Sequence, residues 1–168
     1  MSELTTGIVQ MVSRPSDLNR IARITKGIIG KMCWRVRLGY GDELKLDIGK
    51  RVPAKVVRDR GEWYLGSRGT DWTLQQDGKV VLTSDEEPEK INREIQVILH
   101  NPIVSLEAVY PSLGLAIKFA NGYMLSINPK KEDDDFEVAY WELFTPYGMV
   151  LKVGWGTQWS YTSVHDPA

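Results

Sequence analysis

A chain of 168 residues with 42% hydrophobic and 26% charged residues has the size and balance of one soluble globular domain, or of two small halves sharing a core. No apolar run approaches the ~20 residues of a membrane-spanning helix. Residues 1–7 lack the basic-then-apolar pattern of a secretory signal, and Cys33 is the only cysteine, which excludes an intrachain disulfide; a cytoplasmic location is expected. The net charge of −1 conceals a gradient: residues 1–70 hold 14 Lys/Arg against 7 Asp/Glu, and residues 71–168 hold 7 against 15. Such a gradient suits a basic face for an acidic partner; the plainer reading is two halves that attract each other across a shared interface.

Along the chain, Ile8, Val9, Met11 and Val12 suggest a frayed end or a short edge strand. A helix is expected from about Ser16 to Gly30. Ser16 or Asp17 is its N-cap, Leu18, Ile21, Ala22, Thr25, Ile28 and Ile29 lie near one face, and Gly30 is its stop. Strands follow: Cys33 to Leu38, a turn at Gly39-Tyr40-Gly41-Asp42, then Leu44, Leu46 and Ile48 alternating with Lys45 and Asp47. Residues 50–61 read as a charged loop or edge, and Trp63 to Leu65 as a short strand. The hairpin Trp72-Thr73-Leu74…Gly78-Lys79-Val80-Val81-Leu82 turns at Asp77-Gly78. A second helix is expected between Thr83 and Leu99, with capping-box spacing at Ser84 and Glu87, a stripe of Ile91, Ile95, Ile98 and Leu99, and a stop at Asn101-Pro102. Strands are then expected over 103–110, 115–119 and 123–127, a charged loop over 130–135, and a hairpin formed by residues 136–144 and 149–153. The tail from Gly154 to Tyr161 reads as aromatic and irregular.

The second half repeats the first. Trp141-Glu142-Leu143…Gly148-Met149-Val150-Leu151 restates the earlier hairpin with one more residue in its turn. Leu44, Leu46 and Ile48 map onto Leu115, Ile117 and Phe119 at an offset of 71, as Gly30 maps onto Asn101. The expected fold is α+β, mostly antiparallel β, as one compact unit over residues 1–168. Its halves, 14–83 and 84–161, each form a helix plus several strands and are related by pseudo-twofold symmetry. Each half alone would be marginal, so its aromatic residues are expected to bury against the other.

Residues that could carry chemistry are few. Glu132, Asp133, Asp134 and Asp135 lack the alternation of a calcium loop and read as a solvated turn. Asp85-Glu86-Glu87 reads as helix-dipole charge. His100 and His165 have no second ligand at zinc spacing, and no phosphate-binding loop is present. Cys33 with His100 is a conceivable nucleophile pair, but Cys33 between Met32 and Trp34 on a strand reads first as a small buried residue. Arg20, Arg23, Lys26, Lys31, Arg35 and Arg37, with Trp34 and Tyr40, combine charge with stacking groups, as a nucleic-acid surface would. The near-neutral total and the lack of a reader motif oppose that use. Trp155, Trp159 and Tyr161 read either as a cap on the core or as an exposed patch for a protein partner.

The runs Gly30-Lys31-Met32-Cys33-Trp34-Arg35-Val36, Gly39 to Gly49, Gly61-Glu62-Trp63-Tyr64-Leu65 and Trp72-Thr73-Leu74 resemble a family of uncharacterised bacterial proteins. There the first half reads Cys-Trp, Gly-x-Gly-Ser-x-Leu-x-Leu-x-Phe-Gly, Gly-x-Trp-x-Leu and Trp-x-Leu, and the second half ends in a Trp-x-Leu strand and a Gly turn. Here Ile48 stands where an aromatic is commoner, and Asp42-Glu43 where Ser is. The motifs are structural, and the resemblance implies no activity. In its short β-rich style the chain is also similar to bacterial immunity proteins that neutralise toxins.

The expectation is a non-catalytic cytoplasmic protein-binding module, of which a toxin-inhibiting immunity protein is one form, without cofactor or metal and without a membrane partner. It would use Arg20, Arg23, Arg35, Arg37, Trp155, Trp159 and Tyr161 on a protein partner, and a homodimer is compatible with that use. The alternatives are a nucleic-acid-associated protein using the basic first half, and an enzyme of undefined class.

Overall fold

The computed structural model describes residues 2–39, 43–53, 59–130, 133–134 and 137–165. Its elements are β1 (Ile8–Met11), α1 (Asn19–Ile24), β2 (Cys33–Leu38), β3 (Leu44–Val52), β4 (Arg60–Gly66), β5 (Trp72–Gln76) and β6 (Lys79–Thr83). Then come α2 (Pro88–Glu94), β7 (Ile103–Ala108), β8 (Leu115–Phe119), β9 (Tyr123–Ile127), β10 (Trp141–Phe144), β11 (Met149–Val153) and β12 (Gln158–Ser163). The chain is α+β and mostly antiparallel sheet. No helix among the described residues is long and apolar enough to cross a membrane.

Both expected helices form, shorter and tighter than their apolar spacing predicts. The first is a 3-10 turn (Pro15–Leu18), α1, and a second 3-10 turn (Lys26–Ile28), burying Ile21, Ile24 and Ile28. Asp17 caps from within the first turn: its carboxylate accepts the backbone N–H groups of Ser13 at 2.8 Å and Arg14 at 3.2 Å. The second helix is α2 followed by a 3-10 turn (Ile95–Ile98). The expected Ser84–Glu87 capping box does not form. Ser84 instead accepts the backbone N–H of Trp72 at 3.1 Å, and Glu86 accepts that of Thr83 at 2.8 Å. The left-handed residue that ends this helix is His100 (φ 63), not Asn101, in the place of Gly30 (φ 88).

A larger sheet has the order β1-β12-β11-β10-β4-β3-β2, and a smaller one the order β6-β5-β9-β8-β7. The halves interleave: β4 pairs with β10 through Leu65 and Leu143, and β9 pairs with β5 through Leu125 and Leu74. Registers repeat as well. In β2–β3, Val36 faces Leu46 and the register shifts between Cys33 and Arg35; in β7–β8, Leu106 faces Ile117 and the shift falls between Ile103 and Ser105, 70 positions on. The two ends meet reciprocally. Gly30 N–H donates to Ile103 O at 2.8 Å and His100 N–H to Cys33 O at 2.9 Å, around a bridge between Met32 and Pro102.

The tail is irregular only over residues 154–157. Gln158 to Ser163 alternates polar and aromatic residues, and as β12 it pairs with β11 on one side and with the N-terminal strand β1 on the other. Of the strand expected over 136–144, only Trp141–Phe144 pairs; residue 136 lies outside the described residues, as does most of the turn expected at 39–42. The inward faces of both sheets and the helices share one buried cluster, with Trp63, Trp72, Trp141, Trp159 and Tyr161 among its largest members. Each such ring removes ~150–250 Å² from water. The polar edges are satisfied where partners are shown: Trp141 Nε1–H donates to Leu113 O at 3.0 Å, Trp159 Nε1–H to Asp17 O at 2.9 Å, and Tyr161 O–H to Leu4 O at 2.6 Å.

Candidate functional site

With Leu44, Leu46, Ile48, Trp63 and Leu65 turned inward, strand alternation turns Arg35, Arg37, Lys45, Asp47 and Tyr64 outward. Pairing with β10 then brings Phe144 beside Tyr64. Asp47, fully buried, anchors this outer face. It accepts Arg35 Nε–H at 2.8 Å and Gly61 N–H at 2.9 Å, while an Arg35 terminal N–H reaches Asp59 O at 2.6 Å. A side chain at Gly61 would meet the Ile48 backbone nitrogen at 2.3 Å, so only glycine permits the close β3–β4 approach that this clasp requires.

Around the clasp, cations lie over rings. Arg35 and Arg51 flank the Trp34 indole, their guanidinium carbons 4.9 and 4.0 Å from its centroid. Arg60 lies 5.2 Å from the Phe144 ring and 5.9 Å from Tyr64, and Lys45 is also 5.9 Å from Tyr64. A terminal N–H of Arg37 donates to the Tyr64 hydroxyl at 3.3 Å. Among the described residues, no carboxylate lies within ion-pair distance of Arg37, Arg51 or Arg60. A guanidinium resting on a ring keeps the N–H groups along its edge, which is the geometry that accepts a carboxylate or a phosphate.

Of the seven residues expected to bind a partner, the structure brings Arg35 and Arg37 to this face. Arg20 and Arg23 belong elsewhere: both pair with Glu3, Arg23 through two hydrogen bonds at 2.8 and 3.1 Å and Arg20 at 3.5 Å. That bonding holds the Glu3 carboxyl below its ordinary range. Trp159 is 1% exposed and Tyr161 0%, which overturns their place in an exposed patch; their alternation with Gln158, Ser160 and Thr162 already marks them as one face of a strand. Trp155 alone of the three is exposed, at 40%. Lys45, Arg51, Arg60, Tyr64 and Phe144 join the face unannounced. The alternation through Trp63 and Leu65 signals that Tyr64 points outward, but nothing local signals β10 as the neighbour.

Cys33 and His100 do meet, though through their backbones. The thiol is buried and donates to Arg35 O at 3.2 Å, and burial pushes it up to about 12. It stays protonated and shielded, the opposite of an activated nucleophile. In the acidic loop, Glu132 and Asp135 lie outside the described residues. Asp133 accepts Lys130 N–H at 2.7 Å, and Asp134 accepts Tyr140 O–H and, at 2.7 Å, Gly156 N–H. Burial and the Asp134 carboxylate push the Tyr140 phenol up to about 12. Among the described residues no group of three or more His, Cys, Asp or Glu is placed to hold a metal ion.

Comparison with protein-family models, with curated proteins and with solved structures gave no match. The resemblance to the bacterial family and to immunity proteins therefore gains no support from them.

Proposed function

We propose that this protein is a non-catalytic binding module of the cytoplasm, and that the outer face of β2, β3, β4 and β10 takes an acidic surface of a protein partner. The observation that carries this reading is the set Arg37, Arg51 and Arg60: three guanidiniums with no carboxylate in reach among the described residues, set among Trp34, Tyr64 and Phe144. Side chains placed in this way recognise carboxylates at little entropic cost and set the rate and specificity of association. Inhibition of a toxin, as by an immunity protein, is one form such binding takes.

The scaffold we infer is a pair of halves, 14–83 and 84–161, related by an approximate twofold axis and acting as one unit. Three features support it: the matching registers, the matching register shifts, and the reciprocal bonds around Met32 and Pro102. Nucleic acid is the second reading, favoured by the same arginines. It is weakened because Arg35 and Arg51 already lie over the Trp34 ring that a base would stack on.

The test is a salt titration of the full chain against a glutamate-rich peptide and a single-stranded oligonucleotide, repeated with R37E/R51E/R60E. Peptide binding that weakens with salt and disappears in the triple variant is expected. An oligonucleotide bound more tightly than the peptide at equal salt would replace the protein reading with the nucleic-acid one. Peptide binding unchanged in the triple variant would remove this face from consideration.

A further inference from the structure

The row that starts at Arg37 and Lys45 continues across the larger sheet through Gly66, Glu142, Lys152 and Ser160. At its far end Arg68, Glu137, Glu142, Lys152, Trp155 and Ser160 line a cavity of about 440 Å³, within the size range of small-molecule sites. Two of its four charges are spoken for: Arg68 lies 3.2 Å from Glu142 and 3.8 Å from Glu43. The other two, Glu137 and Lys152, have no ion-pair partner among the described residues and do not pair with each other across the cavity they share. The exposed indole of Trp155 lines the same cavity and offers a surface for a cation.

The walls are held in place. Asp134 ties the segment carrying Glu137 to the loop carrying Trp155, because one carboxylate oxygen accepts both Tyr140 O–H and Gly156 N–H. Tyr140 N–H donates to Val153 O at 2.9 Å, and its ring packs where a side chain on Gly154 would stand, 2.3 Å from the built Cβ position. Gly154 also has φ 77, so glycine is required beside Trp155 on both counts. Glu137 itself is held at φ 52, a conformation that non-glycine residues adopt at a cost.

We propose that this cavity binds a small zwitterion, its ammonium group between the Trp155 indole and the Glu137 carboxylate and its carboxylate on Lys152. Opposite charges that line one cavity without meeting are matched by a ligand carrying both signs a few bonds apart. The shared chemistry is an ammonium carboxylate, and free amino acids and betaines are its two sources. The inference stands apart from the acidic-partner reading, since it uses neither Arg37, Arg51 nor Arg60.

The experiment is an NMR titration of the full chain with L-leucine and, separately, glycine betaine, following the Trp155 indole N–H and the Gly154 and Gly156 amides. Saturable shifts with either compound are expected, and the compound that binds more tightly identifies primary or quaternary ammonium. Affinity should drop about tenfold in E137Q and in K152Q, the loss expected for one charged contact. Both side chains reach solvent, so both variants should fold, which their spectra report. Acetate and tetramethylammonium should each bind more weakly than a zwitterion. Absence of saturation with both zwitterions overturns the proposal, as does wild-type affinity in both variants or tetramethylammonium binding as tightly as betaine.

Discussion

The outer faces of the two sheets occupy the same places in matching ladders and carry different chemistry. Where the larger sheet has Arg35, Arg37, Lys45, Asp47, Tyr64 and Phe144, the smaller has Ser105, Glu107, Ala116, Lys118, Met124 and Gln75. Inward, the two agree: Leu46 and Leu65 correspond to Ile117 and Leu125, and all four are buried. The smaller sheet builds its ladder without an arginine, and in the larger one Arg35 is engaged in the Asp47 clasp. Arg37, Arg51 and Arg60 are additions to the ladder, which is why they carry the functional reading.

The comparison can be broken first in the core. Trp72 and Trp141 are both fully buried at corresponding places in β5 and β10. Trp72→Ala and Trp141→Ala should each cost ~3–5 kcal/mol by urea unfolding; a near-neutral result at either would count against the inferred relation of the halves. Asp47 and Lys118 contrast next. Asp47→Ala strands Arg35 beside an empty buried site and should cost ~3–5 kcal/mol, whereas exposed Lys118→Ala should stay within ~0.5 kcal/mol. Similar losses at both would mean that the charged clasp is not peculiar to the larger sheet.

A third measurement uses Cys33, which stands where the smaller sheet has Ile103. Burial raises the thiol from an ordinary 9.0 to about 12. The group's contribution is therefore complete below the unfolded value and is lost as pH climbs through the folded one. At about 1.4 kcal/mol per pH unit, stability should fall by up to ~4 kcal/mol between pH 9 and 12. Cys33→Val should flatten that decline, leaving a smaller one from Tyr140, raised from 10.0 to about 12. An unchanged alkaline slope would exclude the thiol as its source. The smallest effects belong to the helices. Arg23→Ala removes the exposed pairing to Glu3, and Arg93→Ala a looser contact to Glu94 at 3.6 Å. Both should leave the urea midpoint almost unchanged, Arg23→Ala moving it more than Arg93→Ala, with the difference shrinking as salt is added.

Much of the scaffold was legible from local periodicity. Alternation at Leu44, Leu46 and Ile48 sets a buried face, Asp77-Gly78 marks a turn, and the repeated Trp-x-Leu hairpin divides the chain. Periodicity assigns a face and not a neighbour, so the interleaving of β4 with β10 and of β9 with β5 was out of its reach. The helix stop fell one residue from the left-handed position because an Asn-Pro signal outweighed a histidine. For Trp159 and Tyr161 the choice between core cap and patch is not decided locally, because β1, far away in sequence, supplies the strand partner that buries them. Of the candidate face, Trp34, Arg35, Arg37, Lys45, Asp47 and Tyr64 carry a local signal in strand alternation, whereas Arg51 and Arg60 lie on ladder ends that read as charged loop.

The exchange of strands between halves also bears on synthesis. When the ribosome has released residues through Gly66, one flank of β4 has no mate, and that flank stays bare until Trp141 to Phe144 emerge. A nascent chain stalled before that point presents Trp63, Tyr64 and Leu65 beside unpaired amides, a template for illicit pairing with another chain. Fragments cut at the boundary between the repeats would inherit the same liability, so two such pieces should complement each other when expressed together and aggregate when expressed apart.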